Sequence, residues 1–204
     1  MEQDIKEVYF AGGCFWGTQH FFKQITGVLT TTAGYANGHA DDIPTYEMVS
    51  TETTGYAETV HVTYDAARID LPFLLELFFE TIDPTSLNRQ GCDVGTRYRT
   101  GVFVTSDEDM ALVEKFIARK QETIEQKIVV EVQRLANFHD AEDYHQDYLD
   151  KHPRGYCHIP FKLFKLAKES RMGRKPMSAE NAPSTDEHEL KLNRPDDRPE
   201  VYHE

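Results

Sequence analysis

Cys14 lies where chemistry is most readily placed, in the run Gly12-Gly13-Cys14-Phe15-Trp16-Gly17. Val8-Tyr9-Phe10 before it reads as a buried strand, and Thr18-Gln19-His20-Phe21-Phe22 after it reads as a helix, so Cys14 falls at the helix's first turn. Unpaired backbone N–H groups and the positive end of the helix dipole favour a thiolate there. From the turn alone Cys14 is either such a nucleophile or a small buried thiol. A second candidate is Glu58. It precedes the alternation Val60, Val62, Tyr64 and falls on their apolar side. A carboxylate turned into a core loses hydration and stays protonated, able to donate a hydrogen bond; one at a frayed strand end reaches water. A third is Cys157, in Gly155-Tyr156-Cys157-His158. Glycine beside it leaves the backbone free to carry the thiol, and the alternative is a buried, inert cysteine.

The elements that must position these groups follow an α/β alternation. A helix is expected over residues 15–25 and a β-branched strand over 28–32, then a loop through Gly34 and Pro44 that carries Tyr46. A strand over 55–65 follows. Asp70 caps the next helix with Pro72 in its first turn, and Leu74, Leu75, Phe78 and Ile82 form its inner face. The polar, glycine-punctuated loop 88–99 holds Cys92, Asp93 and Tyr98 and leads into a strand over 101–105. Ser106 caps a helix to about residue 126, with Met110, Val113, Ile117 and Ile124 facing inward. A strand over 128–133 and a short helix over 141–149 complete the pattern.

Composition narrows the function. A net charge of −13 argues against general affinity for nucleic acid or anionic membrane, which require basic surface. No apolar run approaches membrane-spanning length, and Met1-Glu2-Gln3-Asp4 is unlike a signal peptide, so a soluble, cytoplasmic protein is expected. Three scattered cysteines fit catalytic thiols in a reducing compartment better than a disulfide framework or a zinc site. His139, His145, His152 and His158 near Cys157 match no metal-binding spacing, and no metal is expected. At 204 residues one domain is expected, over 1–169, followed by a polar tail over 170–204 where large apolar residues nearly vanish. Any packing of that tail would fall near Val201 and Tyr202.

Gly-Cys-Phe-Trp-Gly resembles the signature of the A-type methionine sulfoxide reductases. Further segments are similar to that family in the same order: Pro44-Thr45-Tyr46-Glu47, Thr54-Gly55-Tyr56-Ala57-Glu58, Asp83-Pro84-Thr85 with Leu87-Asn88-Arg89-Gln90-Gly91, Asp93 to Arg99, and Ala141-Glu142-Asp143-Tyr144-His145-Gln146. The resemblance implies a two-layer α/β sandwich like the ferredoxin plait and reduction of methionine S-sulfoxide, free or in proteins. It makes Cys14 the nucleophile, Phe15 and Trp16 the wall for the S-methyl group, and Glu58, Tyr46 and Tyr98 the surroundings of the sulfoxide oxygen. Asp93 joins their hydrogen-bond network. Cys157 takes the place of the recycling thiol, closing a disulfide with Cys14 that thioredoxin, or dithiothreitol in vitro, reduces; no bound cofactor is implied, and a monomer is expected. Two positions depart from the family pattern. Cys92 replaces an asparagine and is either neutral or a competitor of Cys157 for the sulfenic acid, and Tyr56 replaces a histidine. Two other readings predict different sites. A peroxide-reducing or acyl-transferring thiol enzyme needs His139 or His145 within hydrogen-bond reach of Cys14. A methionine-peptide binding module does not need Cys14 at all.

Overall fold

The computed structural model describes residues 4–39 and 43–170. The segment expected to be a polar tail, Val201 and Tyr202 included, therefore lies outside the described residues except for Ser170. Eight strands and six helices follow in the order β1 (Ile5–Gly12), α1 (Phe15–Lys23), β2 (Val28–Ala36), α2 (Tyr46–Ser50), β3 (Ala57–Asp65), α3 (Leu71–Thr81), β4 (Arg89–Gln90), β5 (Asp93–Val94), β6 (Thr100–Val104), α4 (Asp107–Gln121), β7 (Glu131–Arg134), β8 (Phe138–Asp140), α5 (Tyr148–Lys151) and α6 (Phe161–Glu169) among the described residues.

Six strands form one mixed sheet in the order β7-β6-β1-β3-β2-β8, and β4 pairs with β5 as a separate hairpin. Its centre comes from two split β-α-β units. β3 is antiparallel to both β1 and β2, and β1 is antiparallel to β6. Thus β1-α1-β2 and β3-α3-β6 each leave a gap that a strand of the other unit fills, which is the ferredoxin-like arrangement. The α/β sandwich expected from the sequence is the one observed. β7 extends it in parallel beside β6, and β8 is antiparallel at the far edge beside β2.

Strand alternation divides the sheet into two faces. Val8, Phe10, Val60, Val62 and Val102 join the large helix-covered core, whereas Tyr9, Ala11, Ala57 and Phe103 form a smaller cluster on the opposite face. The rings of Phe10 and Phe22 stack at 4.4 Å and Phe10 meets Phe78 at 4.8 Å, tying β1 to α1 and α3. Each such fully buried ring contributes roughly 1.5–3 kcal/mol by leaving water. Glu58 lies one alternation before Val60 and so faces the helices, beneath the start of α1.

Several boundaries differ from expectation for local reasons. α3 is capped by the Asp70 carboxylate, which accepts from Phe73 N–H at 2.9 Å, as the sequence indicates. β2 continues through Gly34-Tyr35-Ala36 because β8 pairs there, Gly34 with Asp140 and Ala36 with Phe138. α4 ends at Gln121, whose side-chain amide donates to the carbonyls of Ile124 and Gln126 and holds the chain in a turn. β7 starts only at Glu131, because Ile128 N–H and Val129 N–H are taken by Gln121 and Pro84. Of the helix expected over 141–149 only the last two residues are helical, in α5. Gln146 turns its amide to the backbone of Ala33, accepting from its N–H and donating to its carbonyl, and Asp147 adopts φ +52°, so the chain there follows β2 instead of coiling. Tyr46 begins the short helix α2 and is not in a loop.

Candidate active site

Cys14 is the N-cap residue of α1, at the junction of β1 and the helix. Gly13 makes the turn possible: its φ is +81°, and a β-carbon there would lie 2.7 Å from the Gln90 side chain. Cys14 is 6% exposed and Glu58 2%. Glu58 Oε2 accepts from the backbone N–H of Phe15 at 3.1 Å, fixing the carboxyl group beside the cysteine's own peptide. Burial pushes Glu58 up to about 8, outweighing the downward pull of the Phe15 N–H and of Arg97, whose Nε is 3.9 Å from Oε1. At neutral pH the carboxyl group is therefore mainly protonated.

The electrostatics of Cys14 run opposite to the expectation from its helix start. Its pKa is raised well above the usual thiol value, first by burial and then by Glu58 and Asp93, while a hydrogen bond from Trp16 N–H pulls it down. The helix terminus contributes, but it does not dominate a group this far from water. The thiol is protonated in the resting site.

The remaining expected residues gather around this pair. Tyr98 is buried beside it at the end of the tight turn Thr96–Tyr98, and Tyr46 is half-buried at the start of α2. Both phenols are pushed upward, chiefly by burial and next by Glu58, with Cys14 a further contributor, so both remain donors at neutral pH. Asp93 is buried and accepts from Tyr156 O–H at 2.8 Å. Trp16 stacks on Tyr148 at 3.8 Å, and its indole N–H donates to His145 Nδ1 at 3.0 Å. Phe15 is buried deeper, with its ring centre 5.0 Å from His145 and 5.8 Å from Tyr35. Phe15 thus packs into the core beside the site, while Trp16 is only partly buried. Cys157 is buried and donates to Ile159 O at 3.4 Å, and burial raises it to about 12. Its Sγ lies 2.8 Å from where a β-carbon of Gly17 would stand, so it sits against α1 within one helical turn of Cys14. Cys92 is exposed.

Three supporting residues escaped the sequence reading. Arg97 donates from Nη2 to Tyr98 Oη at 3.0 Å and lies over the Tyr98 ring at 4.7 Å. Glu142 accepts from Tyr46 N–H at 2.7 Å and from Tyr35 O–H at 2.8 Å, anchoring the start of α2. His145, weighed from the sequence only as a metal ligand or a base, is 2% exposed and lowered to about 4 by burial, against the upward pull of Glu142. It is a neutral acceptor committed to Trp16. The polar run containing Arg97 was visible as a site-like loop, but no local signal marks the direction of its guanidinium. His139 stands in β8 with its ring against Tyr56 at 5.8 Å. A thiol–histidine pair at Cys14 is thus not the arrangement found, whereas the Glu58 and tyrosine cluster is. No group of three or more His, Cys, Asp or Glu side chains is placed to hold a metal ion among the described residues, and no helix there is long and apolar enough to cross a membrane.

The family model for peptide methionine sulfoxide reductase matches residues 6–175. The peptide methionine sulfoxide reductase MsrA of Clostridium acetobutylicum is 49% identical over 161 residues, covering 79% of this chain and 99% of that protein. Reduced Mxr1 from Saccharomyces cerevisiae is 39% identical with a TM-score of 0.72, over 75% of this chain and 88% of that one. Mxr1 in complex with Trx2 is 28% identical with a TM-score of 0.52, over 72% and 89%. The chain belongs to the A-type peptide methionine sulfoxide reductase family.

Proposed function

We propose that this chain reduces methionine S-sulfoxide, free or within proteins, and that a buried, protonated Glu58 beside Cys14 is the feature that makes the reaction possible. Cys14 Sγ attacks the substrate sulfur while the S-methyl group rests against Trp16 and Phe15. The sulfur–oxygen electron pair moves onto oxygen, which accepts the Glu58 proton and hydrogen bonds from Tyr46 and Tyr98. Those donors act where charge develops, so they favour the transition state over bound substrate. The proton lost by Cys14 restores Glu58; the hydroxyl then passes from the substrate sulfur to Cys14 Sγ, the new Cys14 S–O bond forming as the substrate S–O bond and the Cys14–substrate S–S bond break, so that methionine departs with a lone pair on its sulfur and Cys14 is left as a sulfenic acid. The raised pKa of Cys14 suits this order, because the thiol surrenders its proton only as oxygen gains one.

Cys157, one helical turn away, then attacks Cys14 Sγ. The sulfenic oxygen leaves as water and a Cys14–Cys157 disulfide remains. Thioredoxin, the kind of partner seen on yeast Mxr1, returns both thiols by exchange, and no bound cofactor is needed. Asp93 orders Tyr156 next to the recycling thiol. The catalytic unit extends through residue 169, acting as a monomer in the cytoplasm.

Incubation with the two separated epimers of methionine sulfoxide and dithiothreitol tests the reading. Methionine should form from the S epimer alone, and an intact fold that leaves that epimer unchanged would rule the reading out.

A further inference from the structure

Glu52 follows the C-cap residue of α2 with φ +62°, a backbone conformation that glycine adopts more readily. Its carboxylate reaches across to the tight turn Thr96–Tyr98. Oε2 accepts from the Thr96 hydroxyl and from Arg97 N–H at 3.2 Å, and so caps the turn that carries Arg97 and Tyr98. Gly95 leaves room for this, because a β-carbon there would overlap Glu52 Oε1. The same carboxylate faces the Arg97 guanidinium. Arg97 Nε is buried, 3.6 Å from Glu52 Oε1 and 3.9 Å from Glu58 Oε1, and hydrogen-bonded to neither. One cation is thus shared between two carboxyl groups, while its Nη2 donates to Tyr98 Oη at 3.0 Å. A guanidinium paired with Glu58 alone would favour the carboxylate form and remove the proton that the reaction uses.

We infer that Glu52 is a positioning residue, which holds the Arg97 guanidinium short of a direct pair with Glu58 so that Glu58 keeps the proton it gives to the sulfoxide oxygen. This rests on the function proposed above. Glu52 acts through Arg97 and not on the substrate. The other groups that bear on Glu58 are Cys14 and the Phe15 N–H at the start of α1, Tyr35 on β2, Tyr46 on α2, Asp93 on β5 and Tyr98 on the tight turn. Asp93 pushes Glu58 up, as Glu52 does, while the Phe15 N–H and Arg97 pull it down. Arg97 is the cation of this set, so where its charge rests decides how far Glu58 is pulled. The glutamate at a position suited to glycine is strain that this placement explains.

Two pH titrations of the full-length chain test this: kcat/KM with methionine S-sulfoxide and dithiothreitol, and the infrared band of the protonated Glu58 carboxyl group, identified by its absence from Glu58→Gln. Glu52→Gln keeps an oxygen to accept from Thr96 and Arg97 but carries no charge. Its alkaline limb and its band midpoint should both move down from about pH 8, by about one unit. The rate below the limb should stay within a few-fold of the wild type, because the turn is still capped. Glu52→Gly suits the φ of +62° and so guards against misfolding, but it loses the cap. There the limb should move down and the rate below it should also fall several-fold. In an Arg97→Met background the Glu52→Gln change should move limb and band less than half as far, since the group it acts through is gone. A limb and band that stay in place or rise in Glu52→Gln would overturn the inference and leave the proposed function standing. An equal shift with and without Arg97 would overturn it as well, by showing that Glu52 acts on Glu58 directly. A folded wild type that leaves the S epimer unreduced, with the band still moving down in Glu52→Gln, would sink the function and keep the coupling of Glu52 to Glu58 through Arg97.

Discussion

On either side of Cys14 burial has opposite consequences. The acidic flank holds Glu58, raised to about 8, and the aromatic flank holds His145, lowered to about 4. Both groups are uncharged at neutral pH because both have left water. Glu58 is neutral by keeping a proton and His145 by giving one up, so only the first can supply a proton to a departing oxygen. The second can only accept, and it does so from the Trp16 indole. The two flanks consequently fail at opposite ends of the pH range, which gives a direct way to separate them.

The largest effect should come from the acidic flank. Glu58→Gln keeps an acceptor for the Phe15 N–H but has no proton to transfer, so kcat/KM with dithiothreitol should fall about 10²–10⁴-fold. In the wild type the donor is present below about pH 8 and lost as pH rises through that value, giving an alkaline limb that the variant should lack. Glu58 also raises Cys14, so the two titrate as a coupled pair. The pH midpoint for iodoacetamide alkylation of Cys14 should therefore move down in Glu58→Gln. An unchanged midpoint would mean that the two groups do not sense each other.

The aromatic flank should break from the acid side, and in stability before chemistry. His145 titrates near 6.5 when unfolded and near 4 when folded, so between those values the unfolded chain binds more protons and stability is lost as pH falls. That loss is on the order of 3 kcal/mol for His145 alone when pH falls below 4. His158, also lowered to about 4 by burial, adds to it in the same direction. Urea denaturation at pH 7 and pH 4 should show a smaller drop for His145→Phe than for the wild type, although the variant starts weaker because the indole N–H loses its acceptor.

The contrast between the flanks also marks how far the sequence could be read. Strand alternation put Glu58 on the apolar side but left a frayed, solvated end open, whereas α3 and α4 were marked by the caps Asp70 and Ser106, since these are local signals. The roles of Arg97, Glu142 and His145 depend on partners distant in the chain, such as the 129 positions between His145 and Trp16. No periodicity encodes such pairings. β8 is three residues long and exists because β2 offers an edge, and α6 begins at Phe161, after Pro160, with no side-chain cap to announce it. The thiolate expected at Cys14 failed for a related reason. The helix start is local, whereas the burial that outweighs it comes from the whole assembled site.

A smaller effect should follow from Arg97, which couples the acidic flank to the tyrosines. Arg97→Met removes a charge that holds Glu58 down and the donor on Tyr98 Oη. Glu58 should rise further, moving the alkaline limb of kcat/KM above pH 8, while the rate below that limb falls about tenfold, or about 1.4 kcal/mol. A limb that moved down instead would contradict the assigned polarity of the flank.

The smallest effect should come from Tyr148, which stacks on the Trp16 ring. Stacked aromatic pairs contribute about 0.5–1.5 kcal/mol beyond burial, so Tyr148→Leu should loosen the wall without altering any proton. In the proposed reaction the S-methyl group meets that wall before and during attack alike, so the lost contact weakens ground-state and transition-state binding together. KM for free methionine S-sulfoxide should rise a few-fold at nearly constant kcat. The alkaline limb should stay where Glu58 sets it. If kcat falls and KM does not, Trp16 is aiming the substrate sulfur at Cys14 and the aromatic flank is part of the chemistry rather than a support for binding.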